Sequence, residues 1–296
     1  MNYNGTIYRP PIEANTFLLP VTEGCTHNCC TFCNMYDGIP FRMWNLDRIE
    51  EYMKEIVREY WNYLERQERI FLVGGDPFAL SADKLDALMN LIRKYAPNVE
   101  VVTTYASIGN IKAKSDEELE HLRRIGYNEL YIGIECGLDD TLEYLNKGFT
   151  RDEAAEQCHR LTKAGFRQRH LLMPGAAGKG SGVENAIATA QFENETVPEV
   201  ILLTTMSAFT GTDLRKDVDA GKFTMAGEIE VLTEEKTFIE HLEIQDTYLW
   251  AAHVLDSTPV MGYIGRDKEK MMAQLQYSID NMDEEEFSKI FQRDHL

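Results

Sequence analysis

From residue 16 to residue 224 the chain alternates two hydrophobic periods. Short apolar or β-branched runs read as strands, and longer stretches with apolar residues every three or four positions read as helices. The strand runs are Thr16–Thr22, Ile70–Val73, Val99–Tyr105, Glu129–Ile134, Phe166–Met173 and Val200–Thr205. Between them lie a stripe through Ile49, Tyr52, Met53, Ile56, Val57, Tyr60 and Leu64, and one through Leu85, Leu88, Met89 and Ile92. Ser115 with Glu118, Thr150 with Glu153 and Ser181 with Glu184 have capping-box spacing, and Gly126, Gly165 and Gly221 read as helix stops. Strands that alternate with helices pair in parallel, because each crossover helix returns the chain to the same end of the sheet. Six units are too few for a closed eight-stranded barrel. They suit an open doubly wound sheet or a partial barrel. No Gly/Ser-rich linker and no internal repeat divides the chain. Residues 1–224 therefore read as one core with an N-terminal extension. Residues 225–296 read as a mostly helical extension packing on it, with one irregular stretch from His253 to Gly265.

The loop after the first strand holds four of the six cysteines, within Gly24-Cys25-Thr26-His27-Asn28-Cys29-Cys30-Thr31-Phe32-Cys33-Asn34. Three thiols this close can converge on one metal centre but cannot all form disulfides with each other. Cys25, Cys30 and Cys33 give C-x4-C-x2-C, with an aromatic before the last cysteine; Cys25, Cys29 and Cys33 form an evenly spaced alternative. A [4Fe–4S] cubane takes one cysteine per iron, so three ligands leave one iron open to a substrate. A zinc site stays open as an alternative, with His27 as a fourth ligand. Cys136 and Cys158 lie far along the chain and form no C-x2-C pair.

The run G-C-x-H-N-x-C-T-F-C-N-M-Y resembles the cluster loop of the radical S-adenosylmethionine (SAM) superfamily, and most closely its single-domain members with x4 spacing. The resemblance implies a curved, partial (β/α)6 TIM-type barrel of α/β class, in which Cys25, Cys30 and Cys33 hold a [4Fe–4S] cluster and SAM chelates the fourth iron. Phe32 and Asn34 in the loop would lie beside the cofactors. Gly74-Gly75-Asp76, ending the second strand, is similar to the family's Gly-Gly-Glu, whose carbonyl and acid bind the SAM amino group. Here Asp shortens the arm. Glu135 matches an acid that contacts the SAM ribose or amino-acid part; an ion pair with a barrel Arg is its plainer reading. The loop from Met173 matches one that packs on the adenine. The implied chemistry is reductive cleavage of SAM to a 5′-deoxyadenosyl radical that takes hydrogen from a substrate. A low-potential donor of flavodoxin or ferredoxin type would feed the cluster, which would be oxygen-sensitive.

Alternation along the fourth strand places Leu130, Ile132 and Ile134 on one face and Tyr131, Gly133 and Glu135 on the other. If the apolar face meets helices, Glu135 points inward, where a charge needs a partner. Inward candidates for substrate contact are Tyr105, Gln168, His170, Thr204 and Met206. Each is equally readable as a core group, His170 above all.

A net charge of −19 disfavours a broad phosphate-backbone interface, although Arg167 and Arg169 lie beside His170. A small molecule or a short peptide is the expected substrate. No run of about 20 apolar residues suggests a membrane span. The start, Met1-Asn2-Tyr3-Asn4-Gly5, lacks the basic and apolar regions of a secretory signal. With clustered thiols, this points to a reducing cytoplasm. Two rival functions remain: a non-catalytic iron–sulfur or zinc protein, and a SAM-dependent radical methyltransferase. No second cysteine cluster accompanies the first.

Overall fold

A computed structural model describes residue 3 and residues 6–290. The leader reading on Met1–Gly5 thus falls, Tyr3 apart, outside the described residues, as do residues 291–296 of the C-terminal extension. The main sheet has eight strands in the order β1-β4-β5-β6-β7-β8-β9-β10. These are β1 Phe17–Pro20, β4 Arg69–Val73, β5 Val101–Ala106, β6 Tyr127–Glu135, β7 Arg167–Leu172, β8 Val200–Leu203, β9 Tyr248–Ala251 and β10 Val260–Tyr263. A separate two-stranded ribbon pairs β2 Thr22–Glu23 with β3 Arg42–Met43. The helices are α1 Leu46–Glu59, α2 Ala82–Tyr95, α3 Ile108–Lys112, α4 Asp116–Ile125, α5 Asp139–Tyr144, α6 Arg151–Ala164, α7 Gly182–Thr196, α8 Asp213–Asp219, α9 Glu228–His241, α10 Ile264–Asn281 and α11 Glu284–Ile290.

Two compact units make up the chain. The first comprises Met1–Asn28, Met35–Ile132 and His159–Gln168. In it β1, β4, β5 and β6 pair in parallel, with Leu19 opposite Leu72, Leu72 opposite Thr104, and Thr104 opposite Leu130. One sheet face carries Ile70 and Leu72, fully buried, as are Ile49 and Met53 of α1 and Leu85, Leu88 and Ile92 of α2 within the same core. The other face is crossed by a charge network. Glu13 of the N-terminal extension accepts from Arg69 at Nε (2.9 Å) and from the Tyr131 hydroxyl (2.5 Å). Arg69 continues to Glu129, which also meets Arg167. The Ser115–Glu118 capping box forms as spaced, and Gly126 closes α4 at φ +126°. Helix α1 ends at Glu59, short of the stripe read through Leu64, and leaves Val57 and Tyr60 exposed.

The second unit comprises Cys29–Asn34, Gly133–Cys158 and Arg169–Leu296. Here β7, β8 and β9 are parallel, with His170 opposite Ile201 and Ile201 opposite Leu249. β10 runs antiparallel to β9 at the edge. The C-terminal region is helical as expected, through α9, α10 and α11, but it also extends the sheet by two strands where the sequence shows a helix and an irregular stretch. Thr150 and Glu153 exchange both bonds of a capping box. Ser181 does not cap α7. Glu184 forms no box with it, and the Gly180 amide instead donates to Glu230 of α9.

Candidate functional site

In the first unit, the end of β4 and the start of the cysteine loop are zipped together. The Gly75 amide donates to the Gly24 carbonyl at 3.0 Å. A Cβ on Gly75 would lie 2.7 Å from Cβ of Cys25, and one on Gly74, whose φ is +146°, would lie 1.8 Å from Oγ1 of Thr22. Only glycine permits this approach. The Asp76 carboxylate accepts from the Thr26 amide (3.2 Å), from the Thr26 hydroxyl and from Nδ2 of Asn110 (2.6 Å). Burial pushes its pKa up, and the bonds from Thr26 and Asn110 pull it back only in part.

In the second unit, the rest of the loop forms a turn in which the Cys33 amide donates to the Cys30 carbonyl at 3.2 Å. Asn146 holds the Cys29 carbonyl at 2.8 Å, and Asn34 reaches the Thr210 carbonyl at 3.1 Å. Cys30 and Cys33 are half-buried, as is Cys25 in the first unit, whereas Cys29 is exposed. None of the six cysteines forms a disulfide. At the end of β6, Glu135 stands at φ +70°, in a region that a residue with a Cβ occupies only at a cost. Its carboxylate folds back over Gly133, where a Cβ would meet Oε1 at 2.6 Å, and pairs with Nζ of Lys147 at 2.8 Å. The pair is about nine-tenths buried on both sides. Lys147 also faces the rings of Phe32 (5.9 Å) and Phe149 (5.6 Å). Burial alone pulls the Lys147 ammonium down, but Glu135, Cys30 and Cys33 more than offset this and hold it above the ordinary lysine range. Burial raises the Cys30 thiol, with Lys147 acting against it.

Beside these groups, Met206 joins Leu145, Ala176 and Leu214 in a buried cluster, with Phe32 and Met173 packed against it. A cavity of about 170 Å³ opens there, lined by Gly175, Thr205, Met206, Ser207, Ala208 and Met225 among others. Asp256 anchors its wall by accepting from the Thr205 amide and hydroxyl, both at 3.0 Å, and from the His253 amide at 2.8 Å. Glu234 of α9 lies buried nearby. It accepts from the Gly175 amide (2.9 Å) and from Asn185 (2.7 Å). Burial pushes its pKa up to about 7.

The structure separates the other named residues. Tyr105 sits among aromatic rings, edge-on to Phe71 at 5.3 Å and to Tyr131 at 6.0 Å. Gln168 donates to Thr162 of α6 at 2.8 Å. His170, fully buried, bonds Glu193 of α7 at 2.9 Å and lies 3.7 Å from Sγ of Cys158. Gln168 and His170 are thus placed against helices. Thr204 is half-buried, its amide bonded to the Leu172 carbonyl. Arg167 and Arg169 meet Glu129 and Glu199. Thr26, Asn110, Lys147 and Glu234 carry no sequence signal of their own. They are ordinary residues in ordinary contexts, made local only by folding.

A family model described as the radical SAM superfamily matches residues 19–178, which contain the cysteine loop, Gly74-Gly75-Asp76, Glu135 and Met173. The chain belongs to the radical SAM superfamily. The heme chaperone HemW of Bacillus subtilis (strain 168) is 28% identical to it over 149 residues, covering 48% of this chain and 39% of the relative. The chain therefore spans well under two thirds of that protein. Coproporphyrinogen III oxidase (HemN) from Escherichia coli superposes with a TM-score of 0.55 at 12% identity, covering 84% of this chain and 64% of HemN. Methylornithine synthase (PylB) does so with a TM-score of 0.53 at 14% identity, covering 93% and 85%. These likenesses carry the fold: an α/β partial barrel of TIM type. Members of the superfamily bind a [4Fe–4S] cluster and SAM. The residues present fit the cluster. Soft thiols are its ligand chemistry, and Lys147 supplies positive charge beside two of them, which suits an anionic thiolate-bound centre. Among the described residues no group of three or more His, Cys, Asp and Glu side chains is disposed to hold a single metal ion, a demand that one thiolate per iron does not make.

Proposed function

We propose that this radical SAM protein is an enzyme whose core, residues 1–224, works on a small-molecule or peptide substrate, with residues 225–296 as an extension of that core. The observation that carries the reading is the family match over residues 19–178 with Cys25, Cys30 and Cys33 inside it. When bound, a [4Fe–4S] cluster and SAM would supply an electron and a 5′-deoxyadenosyl radical able to take hydrogen from a substrate carbon. The chain's own residues bind and shield. Cys25, Cys30 and Cys33 hold the cluster. Gly74, Gly75 and Glu135 belong to the SAM cradle, with Glu135 paired to Lys147. Phe32, Met173 and Met206 pack in one apolar cluster of the second unit and keep water from it. A low-potential flavodoxin- or ferredoxin-type donor fits the electron requirement. Among the described residues no helix is long and apolar enough to cross a membrane. The heme in the name of the Bacillus relative is not carried over, because the match covers 39% of that protein.

The test is anaerobic reconstitution with iron and sulfide, then incubation with SAM and a reductant. Release of 5′-deoxyadenosine, abolished by Cys30→Ala, supports the enzyme. Cluster uptake without SAM binding or cleavage would instead support an electron-transfer protein, and a methylated product would support a methyltransferase.

A further inference from the structure

The family resemblance assigns Asp76 to the SAM amino group, yet in the structure its carboxylate is committed to the chain. A carboxylate offers about four acceptor positions. Three are filled here: the Thr26 amide at 3.2 Å, the Thr26 hydroxyl, and Nδ2 of Asn110 at 2.6 Å. Nδ2 of Asn110 also reaches Oγ1 of Thr26 at 3.2 Å, so the three side chains close a ring. Asp76 is 2% exposed. Thr26 directly follows Cys25, and Gly24, directly before it, is held through its carbonyl by the Gly75 amide at 3.0 Å. Cys25 is therefore gripped on both sides by the end of β4. The loop after Asp76 is itself clamped, because the Lys114 ammonium donates to the carbonyls of Phe78 (2.7 Å) and Leu80 (3.0 Å).

We propose that Asp76 is a positioning residue for the cluster ligand Cys25, latched through Thr26 and braced by Asn110, and that it is not a direct SAM ligand. This rests on the cluster reading above. It explains the Asp in place of the family's Glu. The shorter arm meets the neighbouring loop backbone at the Thr26 amide, 3.2 Å away. It also gives Asn110, which no motif marks, a role in the site.

The experiment compares Asp76→Ala, Asp76→Asn and Asn110→Ala with the wild type in three measurements. These are hydrogen exchange around Thr26 in the cluster-free protein, iron per chain after anaerobic reconstitution, and SAM affinity per loaded chain. Removing a side chain that orients a metal ligand typically lowers metal affinity by about ten- to a hundredfold. Asp76→Ala should do so, with faster exchange around Thr26 and unchanged SAM affinity in the chains that load. Asn110→Ala should move exchange and iron in the same direction. Asp76→Asn keeps an oxygen for the Thr26 amide and should restore most of the iron. Full iron retention and unchanged exchange in Asp76→Ala, with SAM affinity reduced, would overturn the proposal and return Asp76 to the SAM site. If Asp76→Ala fails to fold, Asp76→Asn and Asn110→Ala decide, and normal exchange and iron in Asn110→Ala with lost SAM affinity in Asp76→Asn would count against the latch. If the wild type takes up no iron, the cluster reading fails, but exchange around Thr26 still tests the latch.

Discussion

Replacing Lys147 with Met keeps most of the side chain's apolar stem and removes its charge. What remains is Glu135, about nine-tenths buried, without the ammonium that stands 2.8 Å from Oε1. Breaking a buried ion pair by deleting one partner typically costs about 3–5 kcal/mol, because the surviving charge is uncompensated. With both side chains only 10% and 9% exposed, solvent screening subtracts little. Set against a total stability of about 5–15 kcal/mol for a folded chain, this is a large fraction. Urea denaturation of the cluster-free protein at pH 7 should show a deficit of about 3–5 kcal/mol. Lys147→Met/Glu135→Gln should recover about 2 kcal/mol relative to additivity, within the range for residues in one network. No deficit, or strict additivity, would refute the coupling. In the loaded protein, losing a cation beside Cys30 and Cys33 should lower the cluster's midpoint potential, since reduction adds negative charge there.

Three further outcomes are expected. Reconstituted wild type should carry about four irons per chain, Ala at Cys25, Cys30 or Cys33 should abolish the visible absorption of the cluster, and Cys29→Ala should keep it; loss with Cys29→Ala and retention with Cys30→Ala would reassign the ligand. Glu234, at about pKa 7 in the fold against an ordinary carboxyl value of 4.5, should make stability fall by roughly 3 kcal/mol as pH rises from about 4.5 to past 7, and urea midpoints of Glu234→Gln should lack that component. For His170, burial lowers the pKa but Glu193 and Cys158 raise it more, to about 10, so its contribution should be full below about pH 6.5 and fade as pH rises through 10; denaturation curves of His170→Gln should lack that component.

The strands that place the site were legible because they are runs of mostly buried residues or, in β7, alternate buried with less buried ones, bounded by turn or capping residues, as Ile70–Val73 is by Gly74 and Gly75. β9 and β10 were not. Tyr248–Ala251 and Val260–Tyr263 are four residues each, and Gly262 weakens the second. Their partners are strand β8 and each other, which local propensity cannot supply. The Ser181–Glu184 spacing matched a capping box, but Ser181 stands at ψ 2°, outside the extended conformation of an N-cap, and Glu230 of α9 takes the neighbouring Gly180 amide. Glycine pairs read as cofactor approach at Gly74-Gly75. The structure shows that they are also required by the contact with Thr22 and Cys25.

Alternation puts Glu129, Tyr131, Gly133 and Glu135 on one face of β6, and so cannot by itself tell a structural acid from a site acid. Position along the strand and the choice of partner separate them. Glu129, near the strand's start, is 1% exposed and locked between Arg69 and Arg167, and Arg69 extends the lock to Glu13. Guanidinium forks hold carboxylates in fixed geometry, and that network fills its part of the first unit. Glu135, at the carboxyl end where ligands bind in parallel α/β folds, has a single lysine and a backbone held at φ +70°. A point charge on a flexible stem can re-aim when a ligand arrives, whereas a bidentate fork resists. Arg in place of Lys147 should therefore preserve stability and still weaken SAM binding, since it would fix Glu135 in the ligand-free arrangement. Equal SAM affinity in Lys147→Arg and wild type, measured by equilibrium binding to reconstituted protein, would show that Glu135 need not move, and that its pairing in the structure is already the binding geometry.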